Sequence, residues 1–107
     1  MIGGSIDYTG APYYAGISAL KSGCDLIHIF CHEDAAIPIK CYSPELIVHP
    51  AFSNPSNTTQ LDKTVRWFKS MDCLIIGPGM GSSLEASSIF NYFINESTKL
   101  KSKIAKF

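Results

Sequence analysis

Apolar residues in this chain form short continuous runs that alternate with stretches of helical spacing. Continuous runs occur at 25–31 (DLIHIFC), 46–49 (LIVH) and 73–76 (CLII), and they predict buried strands. Leu61, Val65 and Phe68 recur at helical spacing. A second helical face follows residue 85 and consists of Ala86, Ile89, Phe90, Phe93 and Ile94. Strands that alternate with helices, and that are apolar throughout, predict an α/β fold with a parallel sheet covered on both faces.

Glycine and proline mark the ends of these elements. Residues 2–5 (IGGS) predict the end of a strand that enters a glycine turn, and a helix should follow with Thr9 as its N-cap and Gly23 after its last turn. Pro38 argues against a long helix at 34–40, and Pro50 should close the strand at 46–49. Residues 52–59 predict a loop. Residues 104–107 predict a further strand, and the short first and last strands predict a fold that is truncated at both ends.

Composition narrows the class of protein. The 107 residues include nine basic and nine acidic side chains, and 46% are hydrophobic, which predicts one folded domain over 1–107. A disordered chain and a polyanion-binding protein are both disfavoured, because the net charge is zero and no Lys/Arg cluster occurs. No run is long enough for a membrane helix, and the first residues do not form a signal peptide. Four cysteines without CxxC spacing predict buried free thiols in a reducing compartment, hence a cytoplasmic protein.

The strongest chemical signal is the segment GPGMG (77–81) between a strand and a helix. Ser82 and Glu85 have capping-box spacing, so the helix should begin there with free N–H groups that can bind phosphate or another anion. The spacing is neither that of a dinucleotide fingerprint nor that of a P-loop, and an ordinary tight turn is the alternative. GGS (3–5) with TGA (9–11) repeats the arrangement. Because ligands of parallel sheets bind beyond the carboxyl ends of strands, the two turns should converge on one site.

A metal centre is not predicted. Cys24, His28 and His32 would lie on one side of the strand and Cys31 on the other, and their spacing matches no zinc pattern. No Ser/His/Asp grouping is visible either.

Several longer motifs resemble one family. These are GGS (3–5), YTGAPY (8–13), SALKxGxDL (18–26), IKCYSPELIVHP (39–50) and IIGPGMG (75–81), which occur in order along nearly the whole chain. On these motifs the sequence is similar to the eukaryotic ATP-dependent NAD(P)H-hydrate dehydratases of the ribokinase-like superfamily. The resemblance implies a partial three-layer ribokinase-like fold, of which this chain is an N-terminal part.

The resemblance also implies a function in metabolite repair. Family members are lyases that use ATP, with Mg²⁺, to phosphorylate the hydroxyl of the S form of hydrated NADH or NADPH, and loss of phosphate restores the ring double bond. Positions that match the hydrate-binding site are Gly10, Ala11, Gly77, Gly79 and Gly81. The block Tyr42–His49 is interpreted as structural or subunit-contact material, and a homo-oligomer is expected. Mitochondrial localisation remains open beside the cytoplasmic one.

The family's later motifs, including its catalytic base and its ATP loop, would lie beyond Phe107. We therefore expect no catalytic residue in this chain and no dehydratase activity from it alone. One alternative is a catalytically incomplete or pseudoenzyme module that binds nucleotide or contacts a subunit. Another is a kinase of the same superfamily that acts on a small alcohol, although the segment YSPELIVHP argues against it.

Overall fold

A parallel sheet with a central N-terminal strand segment organises the molecule. The computed structural model describes residues 1–100 and 104–106. Strand β1 (His28–His32) pairs in parallel with β2 (Ile47–Phe52), and β3 (Leu74–Ile76) pairs in parallel with β4 (Ile104–Lys106). Ile2 joins the two pairs, because it forms parallel bridges with Phe30 of β1 and with Ile76 of β3. The resulting order is β2, β1, the N-terminal segment, β3 and β4.

Four helices cover the two faces of this sheet. Helices α1 (Gly10–Lys21) and α2 (Glu33–Tyr42) precede β1 and β2, whereas α3 (Thr58–Trp67) and α4 (Leu84–Lys99) precede β3 and β4. A 3₁₀ turn, Phe68–Ser70, follows α3. One core lies under α1 and α2 and contains Ile29, Cys31, Ala35, Ala36, Ile39, Leu46 and Val48. The other lies under α3 and α4 and contains Ile2, Phe30, Phe52, Leu61, Phe68, Ile76, Ile89 and Phe93. The predicted α/β fold with a parallel sheet is therefore confirmed.

The chain reverses its direction of winding next to the N-terminal segment. From this segment it moves outward through β1 to β2, and α3 then carries it back across the sheet to β3. Right-handed crossovers in opposite directions place their helices on opposite faces. The boundary between the N-terminal segment and β3 is consequently a topological switch point, and open α/β sheets bind ligands at the carboxyl edge of such a point.

The prediction that Pro50 closes its strand was wrong, and the segment that Pro38 left ambiguous is a helix of 10 residues. Residues 33–42 form α2 with Pro38 inside it. The helix tolerates this proline because the ring is exposed and only one carbonyl, in the first turn, loses its hydrogen-bond partner. The burial of Ala35, Ala36 and Ile39 stabilises the helix. Pro50 lies within β2, at a register irregularity opposite Cys31. Among the strands that the structure describes, β2 pairs only with β1, so the missing N–H of Pro50 removes no hydrogen bond to a second neighbouring strand.

The other boundaries moved by a few residues. The strand expected at 25–31 is His28–His32, and the loop expected at 52–59 is shorter because β2 includes Phe52 and α3 begins at Thr58. The capping-box prediction was wrong by one position, since Ser83, not Ser82, accepts the Ala86 N–H at 3.1 Å. Residues 104–106 form the expected last strand, and residue 107 lies outside the described residues.

Thr9 and Gly23 lie at the two ends of α1, as expected. Thr9 is the N-cap residue, but its hydroxyl pairs with the Tyr42 hydroxyl at 2.7 Å instead of capping the helix. Gly23, with φ of 112°, follows the last turn. None of the helices that the structure describes has the length and apolar content that a bilayer crossing requires.

Candidate functional site

The two glycine-rich turns meet at the switch point, as the sequence predicts. The Gly4 N–H donates to the Pro78 carbonyl at 2.9 Å, and the Gly77 N–H donates to the Ile2 carbonyl at 3.0 Å. A Cβ on Gly3 would lie 2.1 Å from the Pro78 carbonyl oxygen. The N-terminal segment and the turn after β3 therefore touch through their backbones, and no side chain separates them.

A cavity of about 510 Å³ opens beside this contact, at the carboxyl edge of the sheet. Its volume lies within the usual range for small-molecule sites. Four parts of the chain form its wall, namely the loop after the N-terminal strand segment, the ends of β1 and β2, the turn 80–83 and the first turns of α4. The lining residues are Gly4, Ser5, Ile6, Asp7, Tyr8, His32, Phe52, Ser53, Met80, Gly81, Ser82, Ser83, Glu85, Ala86 and Ile89.

Ser5 carries a buried hydroxyl without a hydrogen-bond partner among the described residues. Its backbone is fixed by a tight turn, in which Ser5 and Tyr8 exchange two N–H···O bonds of 3.3 and 3.2 Å. Leaving a buried polar group unpaired costs roughly 1–3 kcal/mol. A hydroxyl held in this way beside a cavity is a candidate contact for a bound molecule or a water.

His32, the last residue of β1, has one of its ring nitrogens engaged. The Asp34 N–H donates to Nδ1 at 3.1 Å, so His32 caps α2 with its side chain. The Asp34 carboxylate lies 3.6 Å from the same nitrogen. In the neutral ring the proton must then reside on Nε2, because Nδ1 acts as an acceptor. Within residues 1–100 Nε2 has no partner, which leaves one N–H donor in a side chain that lines the cavity.

The charged side chains of the cavity are all acidic. Asp7 and Glu85 line it and are exposed, and none of its lining residues is a Lys or Arg. Ser83 already uses its hydroxyl to cap α4, although the first turn of this helix still contributes free N–H groups and a partial positive charge. The cavity therefore suits a hydroxyl- or amide-bearing ligand better than a polyanion.

The five predicted site residues fall into three groups. Gly81 lines the main cavity, and it also lines a second cavity of about 260 Å³ together with Gly77. Gly79 packs against the chain itself, since a Cβ there would lie 2.7 Å from the Tyr8 carbonyl oxygen. Gly10 and Ala11 open α1 and line neither cavity. Their assignment to a ligand remains a prediction.

The sequence analysis missed the parts of the wall that glycine does not mark. Ser5, His32, Phe52 and Ser53 lie immediately at or after the carboxyl ends of strands. The rule that parallel sheets bind ligands at this edge would have identified them. The strand boundaries drawn from the sequence placed the ends of β1 and β2 one and three residues too early, which hid His32 and Phe52.

Outside the cavity, β1 and β2 carry a histidine pair, His28 and His49. His28 Nδ1 and His49 Nε2 are 3.0 Å apart, and both rings lie against Trp67. Burial lowers the pKa of each ring, and the nearby Met1 amine lowers it further. Among the described residues, no three His, Cys, Asp or Glu side chains are close enough to hold a metal ion.

The cysteines are all free, but the expectation that they are buried holds only for Cys31. Burial raises the pKa of the Cys31 thiol to about 12. Three others are exposed because they lie in the loop after α1, on the outer face of α2 and before β3, namely Cys24, Cys41 and Cys73.

Comparison with known proteins adds a family to this geometry. A family model described as NAD(P)H-hydrate dehydratase matches residues 1–100. A curated ATP-dependent (S)-NAD(P)H-hydrate dehydratase from Entamoeba histolytica is 58% identical over 81 residues, and that from Vitis vinifera is 50% identical over 91 residues. Each of these matches covers 76% of this chain and 26% of the relative. The chain thus spans about a quarter of the length of the curated relatives that it matches.

Solved structures confirm the fold. A ribokinase-like superfamily protein from Enterococcus faecalis superposes with a TM-score of 0.68 at 25% identity and covers 89% of this chain and 31% of that one. A hypothetical protein from Streptococcus mutans superposes with a TM-score of 0.71 at 23% identity and covers 89% of this chain and 32% of that one. The partial ribokinase-like fold implied by the sequence motifs is therefore confirmed.

Proposed function

This chain belongs to the NAD(P)H-hydrate dehydratase family, and we propose that it forms part of the substrate site of an ATP-dependent enzyme that repairs hydrated NADH and NADPH. The reaction class is that of a hydro-lyase, in which loss of water restores the double bond of the nicotinamide ring. The observation that carries this proposal is the cavity at the switch point, where the two family-typical glycine turns meet in a chain that is half or more identical to curated dehydratases.

The residues of this chain would bind and orient the hydrate. The loop after the N-terminal strand segment and the turn 80–83 would enclose the hydrate from two sides, and the apolar side chains Phe52, Met80 and Ile89 form the floor of the cavity. Such a floor keeps water away from the hydrated ring, while polar groups at the wall fix its orientation. Positioning of this kind lowers the barrier of the later step without any reactive side chain.

The triphosphate of ATP does not fit this cavity. A triphosphate needs positive side chains around it, and the cavity is lined by carboxylates and by no Lys or Arg. The described residues offer no set of three metal-ligating side chains, although Mg²⁺ beside substrate phosphates usually requires only one or two carboxylates. The dependence on ATP is that of the relatives, whose names state it.

A chimera tests the proposal. The segment of the Entamoeba histolytica relative that aligns with this chain is replaced by the present residues, and the protein is incubated with NADH hydrate and ATP. We expect the absorbance of the reduced nicotinamide to return over time. The control is the same chimera with Gly79→Val, which should fold poorly because a side chain at 79 meets the Tyr8 carbonyl. A chimera that folds with the thermal stability of the relative but never restores the absorbance contradicts the proposal.

A non-catalytic binding module is the second candidate, and the acidic rim of the cavity favours it, because the site as described holds the hydrate but not a triphosphate. It predicts that the 107-residue chain binds NADH hydrate in a titration, and that no gene product containing this chain restores the absorbance. Activity of any such product would exclude this candidate.

A further inference from the structure

Ser5 and His32 line the same cavity at the carboxyl edge of adjacent strands. The Gly3 N–H donates to the Phe30 carbonyl at 3.0 Å, and the next bond toward the carboxyl edge runs from the His32 N–H to the Gly4 carbonyl at 3.3 Å. The register therefore brings Ser5 and His32 to the same part of the cavity wall. Both side chains line the cavity, and no other described residue pairs with the Ser5 hydroxyl.

Together the two side chains offer complementary hydrogen-bonding groups. The Ser5 hydroxyl can both donate and accept, whereas His32 in its neutral form donates from Nε2 because Nδ1 is occupied by the Asp34 N–H. A carboxamide or a hydroxyl, each of which can donate and accept, satisfies this pair. A phosphate could use the donors but would have to lie near the carboxylates of Asp7 and Glu85.

Access to the Ser5 hydroxyl is controlled by the turn at Gly81. A Cβ on Gly81 would lie 3.6 Å from Ser5 Oγ and 3.8 Å from the Tyr8 ring, so the glycine leaves space next to the hydroxyl that a side chain would fill. The hydroxyl is shielded from water, and an atom at the position of a Gly81 Cβ would be in ordinary van der Waals contact with it. A ligand group that takes this space replaces no existing hydrogen bond.

We propose that Ser5 and His32 select the hydrated nicotinamide ring by hydrogen bonding its carboxamide or added hydroxyl, and that the phosphates of the substrate lie outside the cavity. This assignment rests on the proposed function and adds to it the two residues that would form hydrogen bonds with the hydrated ring. The acidic rim disfavours a reversed orientation in which the diphosphate enters first.

Binding of two probes to the 107-residue chain tests the assignment. NADH hydrate carries the hydrated ring, whereas ADP-ribose carries both phosphates and both sugars but no nicotinamide. Calorimetric titrations at pH 8 should show that Ser5→Ala weakens the binding of NADH hydrate by about threefold to tenfold, the usual effect of one lost hydrogen bond. ADP-ribose affinity should not change. Ser56→Ala, a substitution in the exposed loop before α3, is the matched serine control and should leave both affinities unchanged.

Two substitutions of His32 separate binding from helix capping. In His32→Asn the amide oxygen can still accept the Asp34 N–H, but no donor remains at the position of Nε2. In His32→Gln a donor remains near that position, but the cap is lost. We expect His32→Asn to lose hydrate affinity while it keeps the thermal midpoint, and His32→Gln to keep most of the affinity at a lower thermal midpoint.

The stability of Ser5→Ala provides a further readout. If the Ser5 hydroxyl stabilises the fold, Ser5→Ala should lower the thermal midpoint. If the hydroxyl is unpaired until a ligand binds, Ser5→Ala should leave the midpoint unchanged or raise it. If the wild-type chain binds NADH hydrate and Ser5→Ala binds it within twofold, or if ADP-ribose affinity falls equally, the assignment is wrong and the proposed function stands. If the wild-type chain does not bind NADH hydrate at all, the assignment of Ser5 and His32 is wrong, whereas the proposed function is decided by the activity of the chimera.

Discussion

Replacing Gly79 by alanine measures how strongly the two glycine turns depend on each other. Gly79 has φ of +69°, and a Cβ there would lie 2.7 Å from the Tyr8 carbonyl oxygen and 2.8 Å from Pro12 Cδ. Gly81 in the same turn has φ of +82°, but the atom nearest to its Cβ would be Ser5 Oγ at 3.6 Å. The two glycines therefore share a left-handed backbone and differ in the space around them, which makes Gly81→Ala the matched control.

The expected magnitudes follow from these two contributions. A left-handed conformation costs an L-residue about 1–2 kcal/mol, and both variants should lose that amount. In Gly79→Ala the new carbon also overlaps a backbone oxygen, which cannot rotate away as a side chain can. Forced overlap in a packed region adds about 1–3 kcal/mol. We expect Gly79→Ala to lose about 2–5 kcal/mol of unfolding free energy and Gly81→Ala about 1–2 kcal/mol.

Urea denaturation followed by circular dichroism measures both losses, and thermal unfolding provides an independent check. A difference of 1 kcal/mol shifts the midpoint of a domain of this size by roughly 4–8 °C. The two variants should consequently differ by at least that interval. If Gly79→Ala is no less stable than Gly81→Ala, the close contact between the turn after β3 and the start of α1 does not exist in solution, and the wall of the cavity is incorrectly described.

Three further predictions concern other parts of the molecule. Burial lowers the pKa of the Met1 amine from 8.0 to about 6, so the folded state binds fewer protons than the unfolded state between these pH values. The unfolding free energy should therefore rise by about 1–3 kcal/mol from pH 6 to pH 8. N-terminal acetylation should remove this pH dependence of the Met1 amine and leave the smaller contribution of the histidine pair. Ser83→Ala should lower the unfolding free energy by about 1 kcal/mol because it removes the cap of α4, whereas Ser82→Ala should change it by less than about 0.5 kcal/mol; equal effects in urea denaturation would show that the cap is misassigned. Iodoacetamide should leave Cys31 unmodified in the native protein, because its thiol is buried with a pKa of about 12, and mass spectrometry should find label only on the exposed cysteines; rapid labelling at Cys31 would contradict the packing of β1 against α2.

The sequence predicted the fold well where apolar periodicity is strong. Apolar runs identified β1, β2 and β3, helical spacing identified α3 and α4, and the end signals Thr9 and Gly23 identified α1, so α2 is the helix that was not identified. Pro38 concealed α2, because its effect depends on whether the freed carbonyl is exposed, and that is a property of the tertiary structure. Pro50 concealed the end of β2 for a similar reason, since only the sheet order shows that this strand is an edge.

The candidate site was predictable in position but not in composition. The convergence of the two glycine turns followed from the parallel sheet and from the winding rules alone. The polar wall did not, because Ser5 and His32 are brought together by the register between the N-terminal segment and β1, and a register cannot be deduced from two short apolar runs.

The glycines themselves divide into two roles that the sequence cannot distinguish. Gly3 and Gly79 are required because a Cβ at either position would lie within 2.8 Å of the backbone of the other turn, so these glycines shape the wall and need not touch a ligand. Gly81 has room for a Cβ and leaves space beside the Ser5 hydroxyl. A glycine-rich turn can therefore hold two loops together while the choice of ligand depends on the side chains that lie beside this contact. In this chain the side chains proposed for this role are Ser5 and His32. The two substitutions at His32 separate the role of this residue in binding from its role in capping α2.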